Sequence, residues 1–102
     1  MKLIPITDGK TFKALTVLYD IAKVNPKGGD IATMRKRNRI LKVMDAAKAD
    51  GDKPQANTFQ LEDADHAELV TAINEYPWGV NDPELEVIVD AVLNAKAPTE
   101  VA

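Results

Sequence analysis

The chain has 102 residues, no cysteine and a formal net charge of −3. That length makes one domain with a core of its own, and the lack of thiols excludes disulfides and thiolate metal sites. No stretch approaches membrane-spanning length and the apolar run near the start is too short for a signal peptide, so a soluble cytoplasmic protein is expected.

The charge is divided unevenly. Residues 1–53 hold twelve Lys or Arg against six acids, whereas residues 54–102 hold Lys96 against ten acids. Two such halves attract each other within the fold or present surfaces of opposite sign to different surroundings.

Residues 2–6, Lys-Leu-Ile-Pro-Ile, read as extended, and Pro5 confines any strand there to an edge or a short ribbon. Asp8-Gly9 is a turn, with Asp8 or Thr11 available to cap the helix that follows. That helix runs to about Val24 and has a wide apolar face of Phe12, Leu15, Leu18 and Ala22 flanked by Ala14, Val17 and Ile21. Asn25-Pro26-Lys27-Gly28-Gly29 ends it.

Asp30 caps a second, basic helix over residues 30–48, ending near Ala49. At about 100° per residue, Met34, Ile40, Leu41, Met44 and Ala47 share one broad arc, and Arg35, Arg39 and Lys42 lie opposite. Arg37 projects from within the apolar arc. Its stem can cover the core edge while its guanidinium reaches a carboxylate of the acidic third helix. Residues 50–57 form a polar loop, the segment expected to be mobile. In Thr58 to Leu61, Phe59 and Leu61 alternate with polar residues, a short strand pattern able to pair with residues 2–6.

Asp63 is expected to cap a third helix, with Asp65 and Glu68 near its N-terminus and Leu69, Val70, Ile73 and Tyr76 as its buried stripe. Pro77 stops it. Asp82-Pro83-Glu84 marks a fourth helix start, whose apolar side is Leu85, Ile88, Val89, Val92 and Leu93. The expected architecture is mainly α, a compact bundle of about four helices. The main alternative adds a short two-stranded β-ribbon of residues 2–6 and 58–61. Residues 1–96 form a single helical domain and residues 97–102 a flexible tail.

Three clusters are candidates for function. Arg35, Lys36, Arg37, Arg39 and Lys42 suit a solvated or internally paired face, an acidic protein surface, or nucleic-acid phosphates. Against nucleic acid stand the acidic overall balance, the spread of the cations around the helix and the absence of interleaved aromatics. Glu62, Asp63, Asp65, His66 and Glu68 offer acid–base or metal-ligand types. They are also what a helix N-terminus prefers, and no second ligand pair, nucleophile triad or phosphate loop accompanies them. No catalytic residue, cofactor or metal is therefore expected. Tyr76-Pro77-Trp78-Gly79 places the single Trp on an interhelical turn, where it either plugs the end of the core or anchors a partner.

Taken together, Met34-Arg-Lys-Arg-Asn-Arg-Ile-Leu41, Leu61-Glu-Asp-Ala-Asp-His66 and Tyr76-Pro-Trp78 resemble, in size, order and texture, the small acidic accessory proteins of tailed bacteriophages and prophages. The likeness implies a non-enzymatic role in the host cytoplasm: host takeover, transcription control or virion assembly. It carries over no functional residue. The leading expectation is a protein-interaction module with Tyr76 and Trp78 as apolar anchors and Arg35, Arg39 and Lys42 steering an acidic partner. Reversing those three cations together is expected to slow association and leave folding intact. The alternatives are a nucleic-acid-binding transcription regulator using helix 30–48, and a homo-oligomer of structural or virion-assembly type. No membrane partner is expected.

Overall fold

Antiparallel pairing of two short segments far apart in sequence closes the chain on itself. In the computed structural model, which describes residues 1–26, 28–47, 58–79 and 81–97, β1 (Lys2–Pro5) pairs with β2 (Thr58–Leu61). Ile4 lies opposite Phe59 and Lys2 opposite Leu61. Side chains alternate across a strand, so Ile4, Phe59 and Leu61 enter the core together. Leu3 points the other way and is half-buried, in a hollow it shares with Val87 and Ala91. Its N–H donates to the carbonyl of Lys96 at 2.8 Å, so the chain after the last helix flanks the second edge of β1.

A two-stranded ribbon is marginal alone, and helices cover its inner face. They are α1 (Ala14–Lys23), α2 (Ile31–Ala47), α3 (Asp63–Glu75) and α4 (Pro83–Leu93). The fold is thus mainly α, a bundle of four helices with a two-stranded ribbon among the described residues. The core is drawn from every element: Leu15, Leu18 and Ile21 of α1, Ile40 and Met44 of α2, Leu69 and Ile73 of α3, Ile88 and Val92 of α4. Helix α3 packs against α1, α2 and α4. At about 100° per residue, Asp65 and Glu68 occupy one side of it and His66 and Ile73 another, which separates α2 from α4.

Two helix starts follow the sequence signals. Asp30 Oδ1 accepts the Thr33 N–H at 2.8 Å, and Asp82 Oδ1 accepts the Glu84 N–H at 2.8 Å with Pro83 in the first turn. Two others differ. The first helix starts only at Ala14, and neither Asp8 nor Thr11 is its cap residue; Lys13 holds that position without a side-chain bond. Asp8 reaches the same end from outside, its Oδ1 accepting the Ala14 N–H at 2.8 Å. The cause is a turn before it, closed by Gly9 N–H donating to the Phe12 carbonyl at 2.9 Å. The Glu84 carboxylate fills that turn, accepting N–H groups of Lys10 and, at 3.1 Å, Thr11. Gly9 is the residue this close approach requires, since a Cβ there would sit 2.5 Å from Glu84 Cδ.

In α3, Asp63 is the first helical residue and not the cap, which is Glu62 without a side-chain bond. The Asp63 carboxylate instead meets the Met1 amino group at 2.5 Å. The faces of the helices are also narrower than their apolar patterns. Met34 and Leu93, both expected to be covered, are exposed. The end of the second helix beyond Ala47, the polar loop of residues 50–57 and the tail from residue 98 onward lie outside the described residues. Among the described residues no helix is long and apolar enough to cross a membrane.

Partial burial of Glu84 works against its charged form. The backbone N–H groups of Lys10, Thr11 and Phe12 and the Thr11 hydroxyl outweigh it and hold the carboxyl below its ordinary value. A depressed folded-state value stabilises the fold above the unfolded value, and the effect fades as the pH falls through the folded one. Glu84→Gln should therefore lower the thermal midpoint at neutral pH. The gap to the wild type should close as the pH drops below 4.5, the ordinary value for this group. Circular-dichroism melts across that range read both effects, and a gap that stays constant with pH would show the carboxylate charge to be irrelevant.

Candidate functional site

The end of α3 is shaped by Pro77, which cannot continue a helix. The chain turns at once, with Tyr76 N–H donating to the Ile73 carbonyl at 3.4 Å and Trp78 N–H to the Tyr76 carbonyl at 3.0 Å. The indole Nε1–H of Trp78 folds back to the same Ile73 carbonyl at 3.2 Å, satisfying an acceptor that the helix end leaves open. The Tyr76 ring meets the indole edge-to-face, centroids 4.9 Å apart and planes at 68°. The ring is held at one edge by a hydrogen bond and braced by a neighbour, yet Trp78 remains 38% exposed. Both sequence alternatives are partly realised: one edge closes the helix end and the rest faces outward.

That outward part walls a groove of about 660 Å³ with Asn81 and Asp82 on its side and α4 opposite. Its floor and far wall are apolar, from Ile73, Leu85, Val89 and Leu93, and its rim is polar, from Asn74, Asn81, Asp82 and Glu86. Along α4, Glu86, Val89 and Leu93 share one side at helical spacing, which sets a carboxylate beside the apolar wall. A large exposed aromatic next to apolar side chains with a charged rim is the arrangement of a protein-docking pocket. The groove was not legible in the sequence, because its two walls come from segments whose approach depends on how α4 packs on α3.

The basic helix divides into two sets. Arg37 is 4% exposed and turned inward, its Nε donating to Glu68 Oε2 at 2.8 Å and its Nη1 to the Val24 carbonyl at 3.2 Å. It thus reaches the third-helix carboxylate that its wheel position implied, and it also caps the C-terminal end of α1. Arg39 was assigned to the outer face with Arg35 and Lys42, yet it too is engaged. Its Nη2 and Nε bind Asp65 Oδ1 and Oδ2 at 3.0 and 3.3 Å, a two-pronged contact. Hydrogen bonding to Asp65, then its charge, raises the Arg39 value further above an already high one. Among the described residues Arg35, Lys36 and Lys42 take part in no salt bridge. The outer face of α2 therefore offers Arg35 and Lys42 beside exposed Ile31 and Met34.

The acidic cluster at the start of α3 is dispersed by the fold. Asp65 goes to Arg39, Glu68 to Arg37 and Asp63 to the N-terminal amine. His66 Nε2–H donates to the Val92 carbonyl of α4 at 2.8 Å. Among the described residues no three Asp, Glu or His side chains gather as metal donors. The five proposed contact residues are thus split: Tyr76 and Trp78 stand together at the groove, Arg35 and Lys42 lie across α3 on another face, and Arg39 is bound to a buried carboxylate.

No protein-family model matches this sequence, and no curated protein or solved structure matches it either.

This geometry revises the expected effect of charge reversal. Arg35→Glu with Lys42→Glu should leave the unfolding midpoint within error, since both side chains are exposed. Arg39→Glu should lower it, because Asp65 is left buried beside a second carboxylate. Arg37→Ala should cost about 3–5 kcal/mol, the range for removing one partner of a buried pair. Urea titrations of the variants check the ranking, which fails if Arg37→Ala proves no worse than the exposed double variant.

Proposed function

We propose that this chain is a non-enzymatic protein-interaction module that docks a protein partner at the groove beside Trp78. The observation that carries this reading is the state of Trp78 itself. It is fixed in place by the Ile73 carbonyl and Tyr76, and its exposed part lines the groove across from Leu85, Val89 and Leu93. An aromatic anchor already held in one conformation loses little entropy on binding, and apolar surface of this kind is what a partner can desolvate. Asp82 and Glu86 on the rim favour a partner whose contact surface is cationic around an apolar tip. Binding of this type suits the accessory roles implied by the likeness to small phage proteins, in host takeover or virion assembly.

The reading as a nucleic-acid regulator is weakened by the engagement of Arg37 and Arg39, which removes two of five cations from the phosphate-binding count. Arg35, Lys36 and Lys42 remain, a small footprint for counterion release. They suit a secondary role in steering an acidic surface.

The test is capture by tagged protein from bacterial lysate, with and without nuclease, in parallel for the wild type, Trp78→Ala and Arg35→Glu/Lys42→Glu. A stoichiometric protein is expected on the wild type, resistant to nuclease and reduced at least several-fold by Trp78→Ala. Equal capture by Trp78→Ala would remove the groove from the reading. Recovery that vanishes with nuclease and with the double charge reversal would move the function to nucleic acid.

A further inference from the structure

Among the described residues, the large apolar side chains that the fold leaves exposed are Met1, Val24, Ile31, Met34, Trp78, Val87 and Leu93. Four of them fall in two groups of opposite charge. Trp78 and Leu93 border the groove with Asp82 and Glu86. Ile31 and Met34 lie on the outer face of α2 with Arg35 and Lys42. On that outer face Ile31, Met34, Arg35, Asn38 and Lys42 follow helical spacing, and all are exposed. Asp45, near the far end, is the only acid within α2, and the Asp30 carboxylate just before Ile31 is engaged by the Thr33 N–H as the helix cap, so the cations dominate the border. One group is an apolar ridge with a cationic border, and the other an apolar hollow with an anionic border.

We infer that the occupant of the groove is a second copy of this chain, which inserts Ile31 and Met34 of its α2 between Trp78 and Leu93 and sets Arg35 against Glu86. This deepens the docking reading above and rests on it. The two surfaces cannot meet within one molecule, because α3 stands between them: Asp65 and Glu68 face α2, while His66 faces α4 and Ile73 the groove. Across two molecules they match in shape type and in sign. The contact is heterologous, ridge into hollow, so each copy has one of each to offer. The ion pairs at the border set the register and make association weaker in salt. Burial of Trp78, the single Trp of the chain, makes its emission a direct report of groove occupancy.

Sedimentation velocity of the full chain, from low micromolar to near-millimolar concentration, is the primary measurement, with Trp78 emission followed over the same series. The expected result is a concentration-dependent increase in mass with a blue shift of the emission. Both should weaken as salt is raised. Two variants at exposed positions locate the surfaces: Ile31→Glu/Arg35→Glu removes the ridge, and Glu86→Lys/Leu93→Lys removes the hollow. Each is expected to weaken self-association by about tenfold or more. Mixed in equal amounts they should form a dimer that grows no further, since the first keeps its groove and the second its ridge. A wild type that stays monomeric, an effect of only one variant, or a mixture that stays monomeric would each overturn the inference. If the wild type is monomeric while Trp78 emission shifts with a captured protein, docking at the groove stands and the second copy is excluded. If neither moves Trp78, the docking reading falls as well.

Discussion

One buried ion pair ties three helices of the fold together. Arg37 sits on the inward face of α2 among Ile40 and Met44, where an apolar residue would satisfy the pattern, and its guanidinium joins three helices at once. Its Nε binds Glu68 of α3 and its Nη1 the carbonyl of Val24, at the end of α1. A buried cation is tolerated only when its donors are matched. That requirement places the end of α1, the second turn of α2 and the start of α3 in one arrangement. Arg39 and Asp65, two residues along α2 and three along α3, repeat the α2–α3 contact nearer to solvent. The opposite charges of the two halves are thus consumed partly inside the molecule, and the sequence runs of the two partners are antiparallel along the helix pair.

A second polar clamp positions α4. Glu84 is early in that helix, where an acid is favourable on grounds of helix polarity alone, but its carboxylate leaves the helix axis to occupy the turn before α1. His66 ties the other end of α4 to α3 through the Val92 carbonyl, and Lys96 closes the chain onto β1. With both ends held, α4 lies beside the end of α3 with a gap between them, and Pro77 swings Trp78 to form the gap's other wall. The groove is therefore a product of the clamps. Of its apolar residues, Ile73 and Leu85 are buried at its base, and Leu93 and Trp78 are exposed.

Among the described residues, the charged groups outside these contacts face outward. Arg35 and Lys42 are left on α2 once Arg37 and Arg39 are engaged, and Asp82 and Glu86 border the groove. Asp82 also caps its helix, so only part of its charge is available outward. Polar groups spent on holding helices together are poor contributors to binding, because moving them exposes a buried partner. Those facing solvent next to apolar side chains are the ones that can steer and orient an encounter.

The sequence by itself indicated four helices, two short extended segments and a carboxylate partner for Arg37, and left the pairing of the two segments open. These depend on periodicity, on proline and on capping residues, all of which act over a few neighbouring positions. An extended run at residues 2–6 and an alternating one at 58–61 indicated two strand segments, and the place of Arg37 within an apolar arc indicated a partner on α3, whereas the pairing of β1 with β2 came from the tertiary structure. Only the tertiary structure decided how wide each buried face is, and so left Met34 and Leu93 outside. A wheel gives the direction of a side chain and not the footprint of whatever packs on it. Nor does it give reach: Arg39 leaves its helix on the outward side and still binds Asp65, because a long side chain can bend back across a helix contact. Glu84 and the Gly9 turn are more than seventy positions apart, and their contact, like the groove at Trp78, exists only because distant parts of the chain were first brought together by the core.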